Sequence, residues 1–203
     1  RAYFYFTLVR QYGGVPFKTH NTVGTEETAL PRTEADKIFA FIINECDSIK
    51  DKIIDDYSAD KDHILAKAET GRANKYAVLA LKAQTALYQA SPLFTQGKTD
   101  EEKKNLWGAA VAANKELIDE AEAKGYGLAS SIDLLWDKEY YSNTESSKEI
   151  LWARRTGSAN TFEGYNFPVG YSSGQGGNCP TQDLVDAFEC TDGKSISESP
   201  LYD

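Results

Sequence analysis

The sequence has no methionine in 203 residues, and it holds only 3 cysteines, 6 prolines and 2 histidines. Cys46, Cys179 and Cys190 lie too far apart for a disulfide framework or for paired CxxC zinc ligands. Two roles are open to them: small buried apolar side chains, or a Cys179–Cys190 bridge closing a short loop. His20 and His63 sit singly in polar stretches with no HExxH spacing, so solvated loop residues are expected rather than a metal centre. Few prolines beside 41% hydrophobic and 12% aromatic residues exclude collagen-like and disordered classes. No apolar run approaches the roughly 18 residues that span a bilayer, and the mean hydropathy is −0.50. Basic residues are outnumbered 22 to 31, a net charge of −9 that excludes nucleic acid and anionic lipid as partners. Arg1 is followed at once by AYFYFTLV, with no basic n-region or cleavage site. The chain is therefore expected to be processed or excised, with any export signal removed or upstream.

What is present reads first as helix. Arg1 to Tyr12 is expected to be helical, with Tyr3, Phe6, Leu8 and Val9 on its apolar side, stopped by Gly13-Gly14. Thr33 and Asp36 are expected to form a capping-box variant. Behind it Ile38, Ile42, Cys46, Ile49 and Ile53 would make one buried stripe of a helix ending near Asp56. The longest helix is expected from about Thr70 to Ser91, ended by Pro92. Its alanines, Ala73, Ala77, Ala80, Ala83, Ala86 and Ala90, form a ridge that admits a close neighbour, with Tyr76, Leu79, Leu87 and Tyr88 as bulk beside it. So wide an apolar arc predicts a helix sandwiched between others, as in a bundle or a helical-pair solenoid. A further helix is expected from about Asn105 to Lys124, with Trp107, Ala110, Val111, Leu117, Ile118 and Ala121 on one face and Gly125 after its end.

After Gly125 the texture changes to Gly, Ser, Asn and aromatics. Glu149 to Ala153 reads as a strand or short helix, and Thr181 to Glu189 as a last short helix entered through Pro180-Thr181. The expected organisation is thus a helical region over residues 1–125 and a loop-rich region over 126–203. The fold class is mainly α, built from tetratricopeptide-like helical pairs.

Catalytic patterns are sparse. Gly170-Tyr171-Ser172-Ser173-Gly174 satisfies G-x-S-x-G, but Gln175-Gly176-Gly177 cannot open the helix that a nucleophile elbow requires, and both histidines lie upstream. Asp55, Asp56, Asp60 and Asp62 lack the glycine and bidentate glutamate of a calcium loop, so a hydrated acidic loop is expected. With 31 acids, a glycosidase carboxylate pair is left undecided. The most informative stretch runs from Asn160 to Asn178, where Phe162, Tyr165, Phe167 and Tyr171 alternate with Asn160, Asn166, Gln175 and Asn178 in a glycine-rich context. Pyranose rings present apolar C–H faces to aromatic rings, and their hydroxyls take planar amide partners. Tyr165, Phe167, Tyr171 and Asn178 are the candidate ligand contacts. The alternative is that these aromatics plug the loop onto the helical core.

Four blocks, RAYFYFTLVRQYGGVPF, ALPRTEADKIFAFIINECD, GRANKYAVLALKAQTALYQASPLF and NCPTQDLVDAFECTDG, follow one another in the order and spacing of the SusD/RagB family, which the chain resembles over nearly its whole length. The resemblance implies tetratricopeptide-like helical pairs with an appended loop-rich region. It also implies a surface-exposed, lipid-anchored outer-membrane protein that binds glycans, or sometimes peptides, without catalysis or cofactor. Such a protein is a lid on a SusC-like TonB-dependent transporter. Family members are more than twice this long, so the chain resembles a central portion, with the lipid-bearing cysteine and much of the C-terminal half outside it. Residue roles for ligand contact do not carry over, because the family's sugar-contacting aromatics lie in variable loops. The competing expectation is a helical scaffold whose groove takes a partner's peptide.

Overall fold

The computed structural model describes residues 1–21, 30–55, 57, 71–132, 148–153 and 161–201. The chain forms two compact units, Arg1–Arg155 and Thr156–Asp203.

In the first unit, α1 spans Ala2–Tyr12 and ends where Gly13, at φ 67°, donates its amide to Val9 O. Glycine is the residue that takes this left-handed turn without a Cβ penalty. The chain then pairs β1 (Val15–Pro16) antiparallel with β2 (Arg32–Thr33), Val15 opposite Thr33. Among the described residues three longer helices follow: α2 (Ala35–Ile49), α3 (Lys75–Ala90) and α4 (Asp100–Ala123). Packing follows chain order, α1 on α2, α2 on α3 and α3 on α4, so α3 lies between two neighbours as its wide apolar arc predicts. The architecture is mainly helical, with tetratricopeptide-like pairing. No described helix is long and apolar enough to cross a membrane.

Two cores hold these helices. Phe6, Val9, Val15, Ile38, Phe39, Ile42, Cys46 and Val78 form the first, at the α1–α2–α3 junction. Phe39 meets Phe94 edge to face at 4.9 Å. Each large side chain so enclosed contributes about 1.5–3 kcal/mol of transfer free energy. The second core is made of small residues, Ala83, Ala86 and Ala90 of α3 against Ala110 and Ala113 of α4, flanked by Ile43, Leu106 and Leu117. The alanine ridge thus works over its C-terminal half, while Ala73 is exposed. Lys82 Nζ reaches Asp47 at 2.6 Å and Glu116 at 2.7 Å, and Lys50 also pairs with Glu116. This charge cluster joins α2, α3 and α4.

Several local expectations are corrected. The buried side of α1 is Phe6 and Val9, with Tyr3 and Leu8 exposed. Thr33 does not cap α2, because its backbone is committed to β2; Glu34 precedes the helix with no side-chain cap, and the Asp36 carboxylate pairs with Lys98. α2 stops at Ile49, which is exposed, and one further turn, with the Ile53 amide on Ile49 O at 3.0 Å, brings Ile53 against the core. α3 starts at Lys75, not near Thr70, because Asn74 Oδ1 accepts the Ala77 amide at 2.9 Å. The longest described helix is α4, which begins five residues earlier than Asn105 because Thr99 and Glu102 form a full capping box. Its inward side is Leu106, Ala110, Ala113, Leu117 and Ala121, while Trp107, Val111 and Ile118 face outward. On α3, Leu87 and Tyr88 are likewise exposed. Glu149 to Ala153 is neither strand nor helix; it is irregular, held to the helical unit by Trp152 Nε1 donating to Gly71 O at 2.8 Å.

All three cysteines are free, so the Cys179–Cys190 bridge is absent. Cys46 is a buried apolar residue as expected, but Cys179 is exposed and directs its Sγ to Gly176 O at 3.6 Å. His63, Asp56, Asp60, Asp62 and Asn160 lie outside the described residues.

Candidate ligand-binding site

The second unit carries the Asn160–Asn178 stretch. A short helix, α5 (Thr161–Asn166), is followed by a tight reversal and an extended return. The return is fastened to the helix by backbone bonds: Gln175 N to Gly164 O at 2.8 Å, Gly176 N to Phe167 O at 2.9 Å and Asn178 N to Tyr165 O at 3.0 Å. Glycine is required where the two strands of chain meet. A Cβ at Gly174 would fall 2.3 Å from Pro168 O. With these backbone groups paired inside the loop, the segment can present side chains outward.

It does so with its aromatics. Phe167 and Tyr171 stand with ring centroids 6.0 Å apart and planes inclined at 36°, and they are 45% and 68% exposed. Tyr165 is 46% exposed, its ring resting on Gly177. Asn178 is exposed and is brought beside Tyr165 by the backbone bond already described. The four candidate residues therefore occur as two adjacent pairs on one folded loop. Phe162 is also exposed. Further outward apolar residues went unmarked in the sequence: Val169 at the reversal, Leu184 and Val185 on the last described helix, α6 (Gln182–Asp186), and Phe188 just beyond it. Phe188 falls inside the helix expected from Thr181 to Glu189, but α6 ends at Asp186 and leaves it outward past the helix end, and nothing local marked Val169.

The G-x-S-x-G match has no elbow geometry. Tyr171 N bonds Pro168 O at 3.3 Å and Gly174 N bonds Tyr171 O at 2.9 Å, so Ser172 lies in consecutive turns between α5 and an extended return. A nucleophile elbow needs a strand before the serine and a helix after it. His20, in the first unit, is exposed.

Chemically, the loop offers ring faces at a fixed mutual angle with neutral amides nearby. Such a surface binds by stacking and hydrogen bonding.

Helices packed in pairs, followed by a loop-rich unit with outward aromatics, define a tetratricopeptide-like helical protein. No family model and no curated protein matches the chain. Among solved structures, it is similar to a SusD-like protein from Bacteroides fragilis, with a TM-score of 0.67, 25% identity, and coverage of 96% of this chain and 35% of that one. It is also similar in fold to surface glycan-binding protein A from Bacteroides uniformis, with a TM-score of 0.50, 23% identity, and coverage of 75% of this chain and 28% of that one. This likeness over nearly the whole chain supports a SusD-like assignment. The chain spans about a third of the length of these structures.

Proposed function

We propose that this chain is part of a non-catalytic, cell-surface glycan-capture protein, and that the loop of residues 161–178 contacts the saccharide. The observation that carries this reading is the outward pair Phe167 and Tyr171, held at 6.0 Å on a loop whose backbone is internally bonded. Supporting it are the SusD-like structure and the glycan-binding protein among the fold relatives. Tyr165 and Asn178 form a second exposed pair on the same loop. In this reading the whole protein is held by a lipid anchor at the outer-membrane surface and passes oligosaccharide to a SusC-like TonB-dependent transporter.

Calorimetry of the chain against a polysaccharide panel tests the reading. Stacking pairs contribute about 0.5–1.5 kcal/mol each beyond their buried area, so Phe167→Ala with Tyr171→Ala should weaken binding by about tenfold or more. Undiminished affinity in the double variant would remove this loop from the site. A second reading, a scaffold for a partner's peptide, is favoured by the outward Trp107, Val111 and Ile118 of α4, which share one helical stripe. Binding of peptides and of no glycan, lost in Trp107→Ala, would establish it instead.

A further inference from the structure

The net charge of −9 is unevenly distributed. The unit Thr156–Asp203 holds seven carboxylate side chains against one lysine, Lys194, a balance of −6 on less than a quarter of the length. One of these carboxylates is placed at the aromatic face itself. Glu163 is exposed on α5, and the Phe167 amide donates to Glu163 O at 2.8 Å, an i to i+4 bond that continues the helical turn. Residues so related lie on one side of a helix with Cβ atoms about 5–6 Å apart. The Glu163 carboxylate therefore belongs to the side of α5 from which the Phe167 ring projects. The hydrogen-bonding side chains interleaved with the rings, Asn166, Gln175 and Asn178, are uncharged amides.

We propose that this face is selective for uncharged saccharides and rejects those bearing uronate or sulfate groups. The inference rests on the glycan-binding reading above and adds the substrate class. Stacking brings a sugar ring within van der Waals distance of Phe167, which sets any acidic substituent close to Glu163 and inside the field of the other carboxylates. Uncharged hydroxyls lose nothing in that field, whereas an anion is repelled by each carboxylate in reach. The repulsion extends about 30 Å at 10 mM salt and about 8 Å at 150 mM, so the selectivity is itself salt-dependent.

The experiment is calorimetry of the full chain at 10 and 150 mM NaCl with galactomannan and xyloglucan as neutral probes, and polygalacturonate and chondroitin sulfate as anionic ones. At 10 mM salt at least one neutral probe should bind about tenfold or more tighter than either anionic probe. That ratio should shrink at 150 mM and in Glu163→Lys, and neutral binding should be lost in the Phe167→Ala, Tyr171→Ala double variant. Polygalacturonate or chondroitin sulfate binding as tightly as the neutral probes at 10 mM would overturn the charge selectivity and leave the glycan reading standing. A ratio unmoved by both salt and Glu163→Lys would overturn it as well. No binding to any of the four probes would remove both.

Discussion

The ring of Tyr165 lies on the backbone of Gly177 so closely that a Cβ there would fall 2.5 Å from Tyr165 Cδ1. Real Cβ contacts are longer than that, so the ring's outward pose and the absence of a side chain at 177 are one feature. Gly177→Ala should turn the Tyr165 ring and cost about 1–3 kcal/mol of overpacking. A changed near-ultraviolet tyrosine dichroism, with glycan affinity down at least threefold, is the expected result. An unchanged spectrum would mean that the loop shifts to spare the ring.

The α2–α3–α4 charge cluster makes stability dependent on pH at both ends. Burial pushes the Glu116 carboxyl up, but hydrogen bonds from Lys50 and Lys82 outweigh it and hold the group below its ordinary value of 4.5. A depressed acid stabilises the fold above its unfolded pKa, and that contribution fades as pH falls through the folded one. The hydrogen bond to Glu116 raises Lys50; burial lowers Lys82, and its bonds to Asp47 and Glu116 more than compensate, so both lie above 10.5. Their contribution is complete below 10.5 and fades as pH rises through the folded values. Urea midpoints should therefore decline below about pH 4.5 and again above about 10.5. Glu116→Gln should flatten the acid limb and destabilise the neutral protein by about 1–3 kcal/mol through two under-partnered lysines.

Thiol chemistry should separate Cys46 from Cys179. Burial, aided by Asp47, pushes the Cys46 thiol up to about 12, and the side chain is enclosed. Because the thiolate is the nucleophile, iodoacetamide at pH 8 should label exposed Cys179 while leaving Cys46 intact until the chain is unfolded. Peptide mass spectrometry over a time course reads this directly. Cys46 labelled as fast as Cys179 in native conditions would show that the α1–α2–α3 core opens readily.

Thr99 and Glu102 close the first turn of α4 reciprocally, Thr99 N and Oγ1 both donating to Glu102 Oε2 at 2.7 and 2.8 Å. Thr99→Ala should cost about 1 kcal/mol, seen as a lower urea midpoint with an unchanged slope. A loss confined to helical dichroism, with the midpoint unmoved, would indicate a frayed end that packing does not need.

Much of the helical unit was legible in the chain order of its residues. The four-residue spacing of Ile38, Ile42 and Cys46 marks a buried stripe, and these residues are fully enclosed. Legibility failed at boundaries and at facing. Thr99-Asp100-Glu101-Glu102 is a complete S/T-x-x-E signal, yet the apolar residues begin later and drew the expected start to Asn105. Thr33 has the right chemistry for a cap, but pairing with Val15 claims its backbone first. On α4, Trp107, Val111 and Ile118 satisfy helical spacing as well as the inward stripe does, so period alone could not choose between two adjacent stripes. The alanine ridge of α3 made the choice, because close approach admits Ala110 and Ala113 and has no room for Trp107.

The helical class, the resemblance to SusD-like proteins, the net acidic charge and the loop in which aromatics and amides alternate are all set along the sequence, because periodicity, composition and residue order are local properties that survive without coordinates. The tertiary structure decided which of those aromatics face outward, how Phe167 and Tyr171 are inclined to each other, and that Glu163 shares a helical turn with one of them. Those relations depend on the backbone bonds that fold residues 174–178 against α5, and such pairings between separated residues are invisible to any pattern read along the chain.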